Sequence, residues 1–199
     1  MRHLMTIIIA SLLLGGATIA ANAQDKNAKG TDKEAALRSQ PGYVDFSMLD
    51  KMGQDAKVEV NLRDPMLGLV GKFISDEDEE LRDLISSLKL VRVRVYEITP
   101  TTVERLLAAG SETATRLDKD GWERIVRVRD GEEHVDVYFK PSSNAEWIEG
   151  VLVIALGDDN EAAFVNIVGT IRPEDVAKLG EHFDVNGMDK VHIEKKIKN

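Results

Sequence analysis

The chain of 199 residues contains no cysteine. Disulfides, thiolate metal sites, cysteine nucleophiles and a lipidated amino-terminal cysteine are therefore excluded. Glycine-rich phosphate loops and dinucleotide fingerprints are missing as well, since Gly68-Leu69-Val70-Gly71 falls inside a predicted helix and reads as close packing. There is no Gly-x-Ser-x-Gly elbow to carry a hydrolase serine. Positive charge is in deficit, with 26 basic against 35 acidic residues and a net charge of -9. Such an acidic body repels phosphate backbones, so no nucleic-acid partner is expected. At 43% apolar and 31% charged, the chain is too polar for a multispan membrane protein.

What is present begins with an address. Residues 1–23 combine a basic start (Arg2, His3), an apolar stretch from Leu4 to Ile19 and the small-x-small run Ala21-Asn22-Ala23. That is the pattern of a secretory signal peptide, with cleavage expected after Ala23. The product is expected to be periplasmic or secreted, with no stable membrane anchor once the signal is removed. Residues 24–42 are polar and read as a flexible leader with one helical turn near Glu34 to Arg38. Residues 43–183 are expected to form a single domain, and 184–199 a lysine-rich tail.

Within the domain, Val58, Val60 and Leu62 alternate with polar residues, which predicts a half-buried strand. Asp64-Pro65 reads as the cap and first turn of a helix, and Ser75 as the cap of a second. The run Asp76 to Glu80 suits the positive end of that second helix dipole, ahead of a core face formed by Leu81, Leu84, Ile85 and Leu88. Lys89 to Ile98 is the clearest strand, with Val91, Val93 and Val95 on one side and Arg92, Arg94 and Tyr96 on the other. A helix follows Thr99-Pro100 and ends near Gly110, or restarts to reach Leu117. Asp120-Gly121 then turns the chain into two hairpins.

In the first hairpin a loop over Asp130 to Glu133 pairs Val128 with Val135 and Val126 with Val137, separating core from solvent. A two-residue Asp130-Gly131 turn would set Val128 beside Glu133, so it is rejected. The second hairpin, Ile148 to Leu156 and Glu161 to Ile171, is apolar on both faces. A four-residue loop, Gly157 to Asn160, pairs Val153 with Phe164 and Leu152 with Val165. Such strands sit in the centre of a sheet or leave one face for a partner. Arg172-Pro173 starts a last helix through Val176 and Leu179. The element order predicts an α+β fold, a mainly antiparallel sheet of about five to six strands with helices packed on one face.

Candidate chemistry is sparse. His134 and Asp136 are two apart on a strand and share a face, yet no serine can be placed beside them, so they read as a solvated charge ladder. Arg92, Arg94, Arg127 and Arg129 would form a basic face if their strands adjoined. Asp158, Asp159, Asn160 and Glu161 are ordinary turn residues, and the two Asp-x-Asp/Asn-Gly stretches put glycine at the wrong position for a calcium loop. No metal and no cofactor is expected.

The stretches Trp122 to Val126, Val135 to Lys140, Ile148 to Ile154 and Phe164 to Ile171 together resemble a bacterial envelope family, domain of unknown function 4252. The resemblance spans Asp45 to Phe183. It implies an exported or lipid-anchored protein without assigned activity or catalytic residues, although this chain lacks the lipidated cysteine of some relatives. The reading that results is a non-enzymatic interaction module of the envelope. Leu152, Ile154, Val165 and Ile167 are the expected surface for an envelope partner or self-association. The alternatives are a small-ligand carrier or envelope enzyme with a pocket near Trp122, Tyr138 and His134, or a periplasmic sensor component.

Overall fold

The computed structural model describes residues 28–50, 55–74, 78–100, 102–131, 133–157 and 160–175. The expected signal segment, Ser75, Asp158, Asp159 and the last helix beyond Asp175 lie outside the described residues. The elements are α1 (Ala28–Arg38), α2 (Ser47–Asp50), β1 (Val58–Arg63), α3 (Asp64–Phe73), α4 (Glu79–Ser87), β2 (Leu88–Glu97), α5 (Val103–Lys119), β3 (Glu123–Asp130), β4 (Glu133–Pro141), β5 (Ile148–Leu156) and β6 (Glu161–Ile171). All six strands join one sheet in the order β1-β2-β6-β5-β4-β3, and every neighbouring pair is antiparallel. The expected α+β architecture is what forms, with the doubly apolar hairpin β5–β6 at the sheet centre.

Registers divide the sheet cleanly. One face carries rungs such as Asn61-Arg92-Asn166-Leu152-Tyr138-Arg124, and the other carries rungs such as Val60-Val93-Val165-Val153-Val137-Val126. Call these the arginine face and the valine face. Helix α5 lays Leu106, Ala109 and Leu117 on the arginine face, in one core with Val44, Phe46, Tyr96, Tyr138, Leu152, Ile154 and Phe164. Helices α3 and α4 lay Leu67 and Leu84 on the valine face, with Val91, Val93 and Val95. The helices thus cover both faces, where one was expected. The reason is the sheet order: a central strand pair that is apolar front and back must be shielded on both sides.

The first hairpin has the expected register, with Val128 opposite Val135 and Val126 opposite Val137. Its strands run one pair further than expected, to Asp130 and Glu133, with Gly131 at φ 58°. The second hairpin is shifted by one residue from the expectation. Val153 faces Val165 and Leu152 faces Asn166. Asn160 adopts φ 60° and the Gly157 N–H donates to the Glu161 carbonyl at 2.8 Å, so three residues span the turn instead of four. A left-handed residue closing a three-residue loop is a conformation that asparagine tolerates well.

Helix α5 runs unbroken through Gly110. It ends where Gly121 takes φ 73° and the Trp122 N–H reaches back to the Leu117 carbonyl at 3.0 Å. Helix α3 begins one residue earlier than expected: Asp64 is already helical, Arg63 takes the extended cap position, and no side chain caps the end. The polar leader is more ordered than its composition predicts. In α1, Glu34 pairs with Arg38 one turn on at 3.2 Å and with Arg63 at the end of β1 at 2.8 Å.

The chain following α1 is tied to the arginine face by one amide. Asn166, fully buried on β6, accepts from the Val44 N–H at 3.0 Å and donates to the carbonyls of Gly42 at 3.0 Å and Val151 at 3.2 Å. Close approach makes this possible: a Cβ on Gly42 would stand 1.9 Å from the Glu149 carbonyl oxygen, and one on Gly150 2.5 Å from the Gly42 Cα. Replacing Asn166 by leucine leaves the Val44 N–H and the Gly42 carbonyl buried without their partner. Urea denaturation is expected to show a loss of roughly 3 kcal/mol. In the β4–β5 connection Ala145 holds φ 56°, a left-handed conformation that penalises a Cβ. Ala145→Gly is expected to raise the denaturation free energy by roughly 0.5–1 kcal/mol, the relief of strain being offset in part by the unfolded-state entropy of glycine.

Candidate functional site

The four arginines do share the arginine face, but they do not form one basic patch. Strands β6, β5 and β4 separate Arg92 and Arg94 on β2 from Arg127 and Arg129 on β3. At about 4.8 Å per strand the two pairs stand roughly 19 Å apart. Nor is the face open to solvent at β2. Arg92 is buried, its guanidinium 4.9 Å from the Tyr43 ring centroid and 4.4 Å from that of Phe46. It donates to the Val44 carbonyl and to the Tyr43 hydroxyl at 3.3 Å, so it works as a clamp on residues 43–46. Arg94 reaches Glu59 on β1 at 3.3 Å.

At the other edge Arg127 and Arg129 converge on Asp136. Arg127 Nε lies 2.9 Å from Oδ1 and Arg129 Nη2 lies 2.7 Å from Oδ2. Partial burial alone would raise the Asp136 pKa, but the bonds from Arg129 and Arg127 outweigh it and hold the carboxyl below its ordinary value. Both carboxylate oxygens are taken by guanidinium groups. A carboxylate so engaged is poorly placed to orient His134, which stands opposite Arg129 and Leu156 in the ladder. Trp122 and Tyr138, expected beside a pocket, are both buried in the core with Leu117 and Leu152. Tyr138 has the Arg124 guanidinium 6.0 Å from its ring centroid. Among the described residues no group of three His, Asp or Glu side chains is placed to hold a metal ion.

The four residues expected to form a partner surface fall on opposite sides of the sheet. Leu152 and Ile154 point to the arginine face and are buried under α5, whereas Val165 and Ile167 point to the valine face and stay half-buried. The one-residue difference in hairpin register accounts for the split, because a one-residue slip exchanges the two faces of a strand. Val165 and Ile167 instead belong with Val126, Val135, Phe139 and Val153 in a half-buried apolar strip.

A more exposed apolar surface lies on α3. Leu67 and Gly71 face inward, Gly71 with its Cβ position 3.9 Å from Ile85. Met66, Leu69, Val70 and Phe73 face out, with Phe73 85% exposed. The signal was in the sequence: Met66-Leu67-Gly68-Leu69-Val70-Gly71-Lys72-Phe73 is apolar on more of its circumference than a single buried stripe requires. At the sheet edge Ile125 is also exposed, at the point where the β3–β4 register shifts. Such an irregularity interrupts the edge as a template for strand pairing.

The fold and this surface define a class: an α+β protein with one antiparallel sheet, covered by helices on both faces. The sequence pattern of the domain of unknown function 4252 (DUF4252) matches residues 50–179, and the chain belongs to that family. No curated protein matches the chain. Among the described residues no helix is long and apolar enough to cross a membrane.

Asp136→Asn tests the arginine pair. Because the folded carboxyl titrates below its unfolded value of about 3.9, its contribution is fully present above that pH and fades as pH falls through the folded value. Wild type is expected to exceed the variant by about 1 kcal/mol in denaturation at neutral pH, the gap closing in acid. A gap that stays constant down to the acid limit would show that the carboxylate charge is not the source.

Proposed function

We propose that this protein is an exported, non-enzymatic interaction module of the bacterial envelope, which docks a partner protein or a second copy through the outer side of α3. The observation that carries the reading is the outward Met66, Leu69, Val70 and Phe73. Leaving a phenylalanine in water forgoes about 2 kcal/mol of burial, a cost that a docking surface recovers on binding. The amino-terminal pattern supports export, and the engagement of Asp136 by two arginines supports a structural role for the His134–Asp136 pair. Cell fractionation with amino-terminal sequencing tests export, the expected mature end being Gln24.

A photoreactive amino acid placed at position 73 in living cells tests docking. A discrete adduct is expected there and not at the exposed Glu104 on α5, with light scattering separating a second copy from another protein. Equal labelling at both positions, or none at 73, removes the motive for the proposal.

A further inference from the structure

The valine face is covered unevenly. Helices α3 and α4 contact β1, β2 and β6, while Val126, Val135, Phe139, Val153, Val165 and Ile167, on β3 to β6, keep part of their surface exposed. The described chain leaves the sheet at the end of β6, the strand that carries Val165 and Ile167. Ile171, the last residue of β6, is fully buried in the valine-face core, and the helical turn at 173–175 follows directly. That turn is fastened at its start: Arg172 grips both oxygens of the buried Asp175 at 2.8 and 3.0 Å. The next residues are Val176-Ala177-Lys178-Leu179-Gly180-Glu181-His182-Phe183. Val176, Leu179 and Phe183 follow the i, i+3, i+7 spacing of one helical stripe.

We infer that residues 176–183 dock on the valine face of their own chain, with Val176, Leu179 and Phe183 closing the strip around Val153, Val165 and Ile167. Lengths agree. A helix over residues 173–183 spans about 16 Å. Measured back along β6 from Ile171, Ile167 and Val165 lie four and six residues away, about 13 and 20 Å. The family pattern also runs past Asp175 to residue 179, so the first half of this segment belongs to the domain rather than to a tail. The occupant is the chain itself, which leaves α3 as a separate surface; this inference does not depend on the proposed function.

Because the chain has no cysteine, a single introduced pair reports without background. In the full chain, Val153→Cys with Leu179→Cys is expected to form an intramolecular cross-link with a short bis-maleimide. Its yield should exceed the intermolecular product at micromolar protein by about a thousandfold, since tethering keeps the two thiols near millimolar effective concentration. Glu59→Cys with Leu179→Cys, across the sheet, should not cross-link. Absence of the first product, or a product that appears only as dimers and fades on dilution, overturns the inference, the latter by assigning the strip to a second copy.

Leu179→Asp supplies an independent reading in the otherwise unaltered chain. It is expected to lower the denaturation midpoint and raise binding of an apolar fluorescent dye, and no change in either overturns the inference. Phe73→Asp leaves the cross-link intact, so failure of docking at α3 and failure of this inference are told apart.

Discussion

The side-chain amide of Asn166 is the contact on which the arrangement of the arginine face depends. A buried polar group in the middle of an apolar strand is costly unless every bond is made. Here two donors and one acceptor are satisfied by Gly42, Val44 and Val151. The geometry demands that residues 42–44 lie directly on the sheet, which in turn demands glycine at 42 and at 150, where any Cβ would overlap backbone. Arg92 completes the fastening from the next strand by holding Val44 and stacking on Tyr43 and Phe46. With that segment in place, Phe46 meets Phe164 edge-on at 6.1 Å and Leu49 joins the core beneath α5. The amide fixes position more than it adds energy, since a satisfied hydrogen bond contributes only about 1 kcal/mol net and leaving one open costs more.

The two faces follow different rules. The arginine face is sealed by large groups, with Tyr96, Tyr138 and Phe164 all buried. Its guanidinium groups each have a local partner: Arg92 clamps residues 43–46, Arg94 reaches Glu59, Arg124 lies over the Tyr138 ring, and Arg127 and Arg129 converge on Asp136. The valine face is built from short branched side chains that suit a pleated surface and accept broad, weakly directional contacts. The outward side of α3 extends the same apolar character beyond the sheet.

Much of the fold was legible in alternation. Val91, Val93 and Val95 against Arg92, Arg94 and Tyr96 sort to opposite faces as the period of two requires, and the bounds of β5 and β6 match their apolar runs. The β3–β4 register was readable because mixed strands admit one pairing that keeps valines together. The β5–β6 register was not. Both of its faces are apolar, so a slip by one residue costs little in burial, and the left-handed Asn160 settles the matter. That same ambiguity scattered the expected partner surface over two faces. The exposed helix α3 was visible as an excess of apolar residues, whereas the direction of that excess depended on where α4 packs.

Period, charge and composition settle the strands, the apolar character of both faces of the second hairpin, the α+β class and the lack of thiol chemistry, because each is a property of short windows or of the whole inventory of side chains. The order β1-β2-β6-β5-β4-β3, the distance between the two arginine pairs, the burial of Arg92 and the seat of residues 42–46 under Asn166 come from contacts between residues far apart in the chain. Such contacts are chosen by shape and by the satisfaction of buried polar groups, and neither is written in any local pattern.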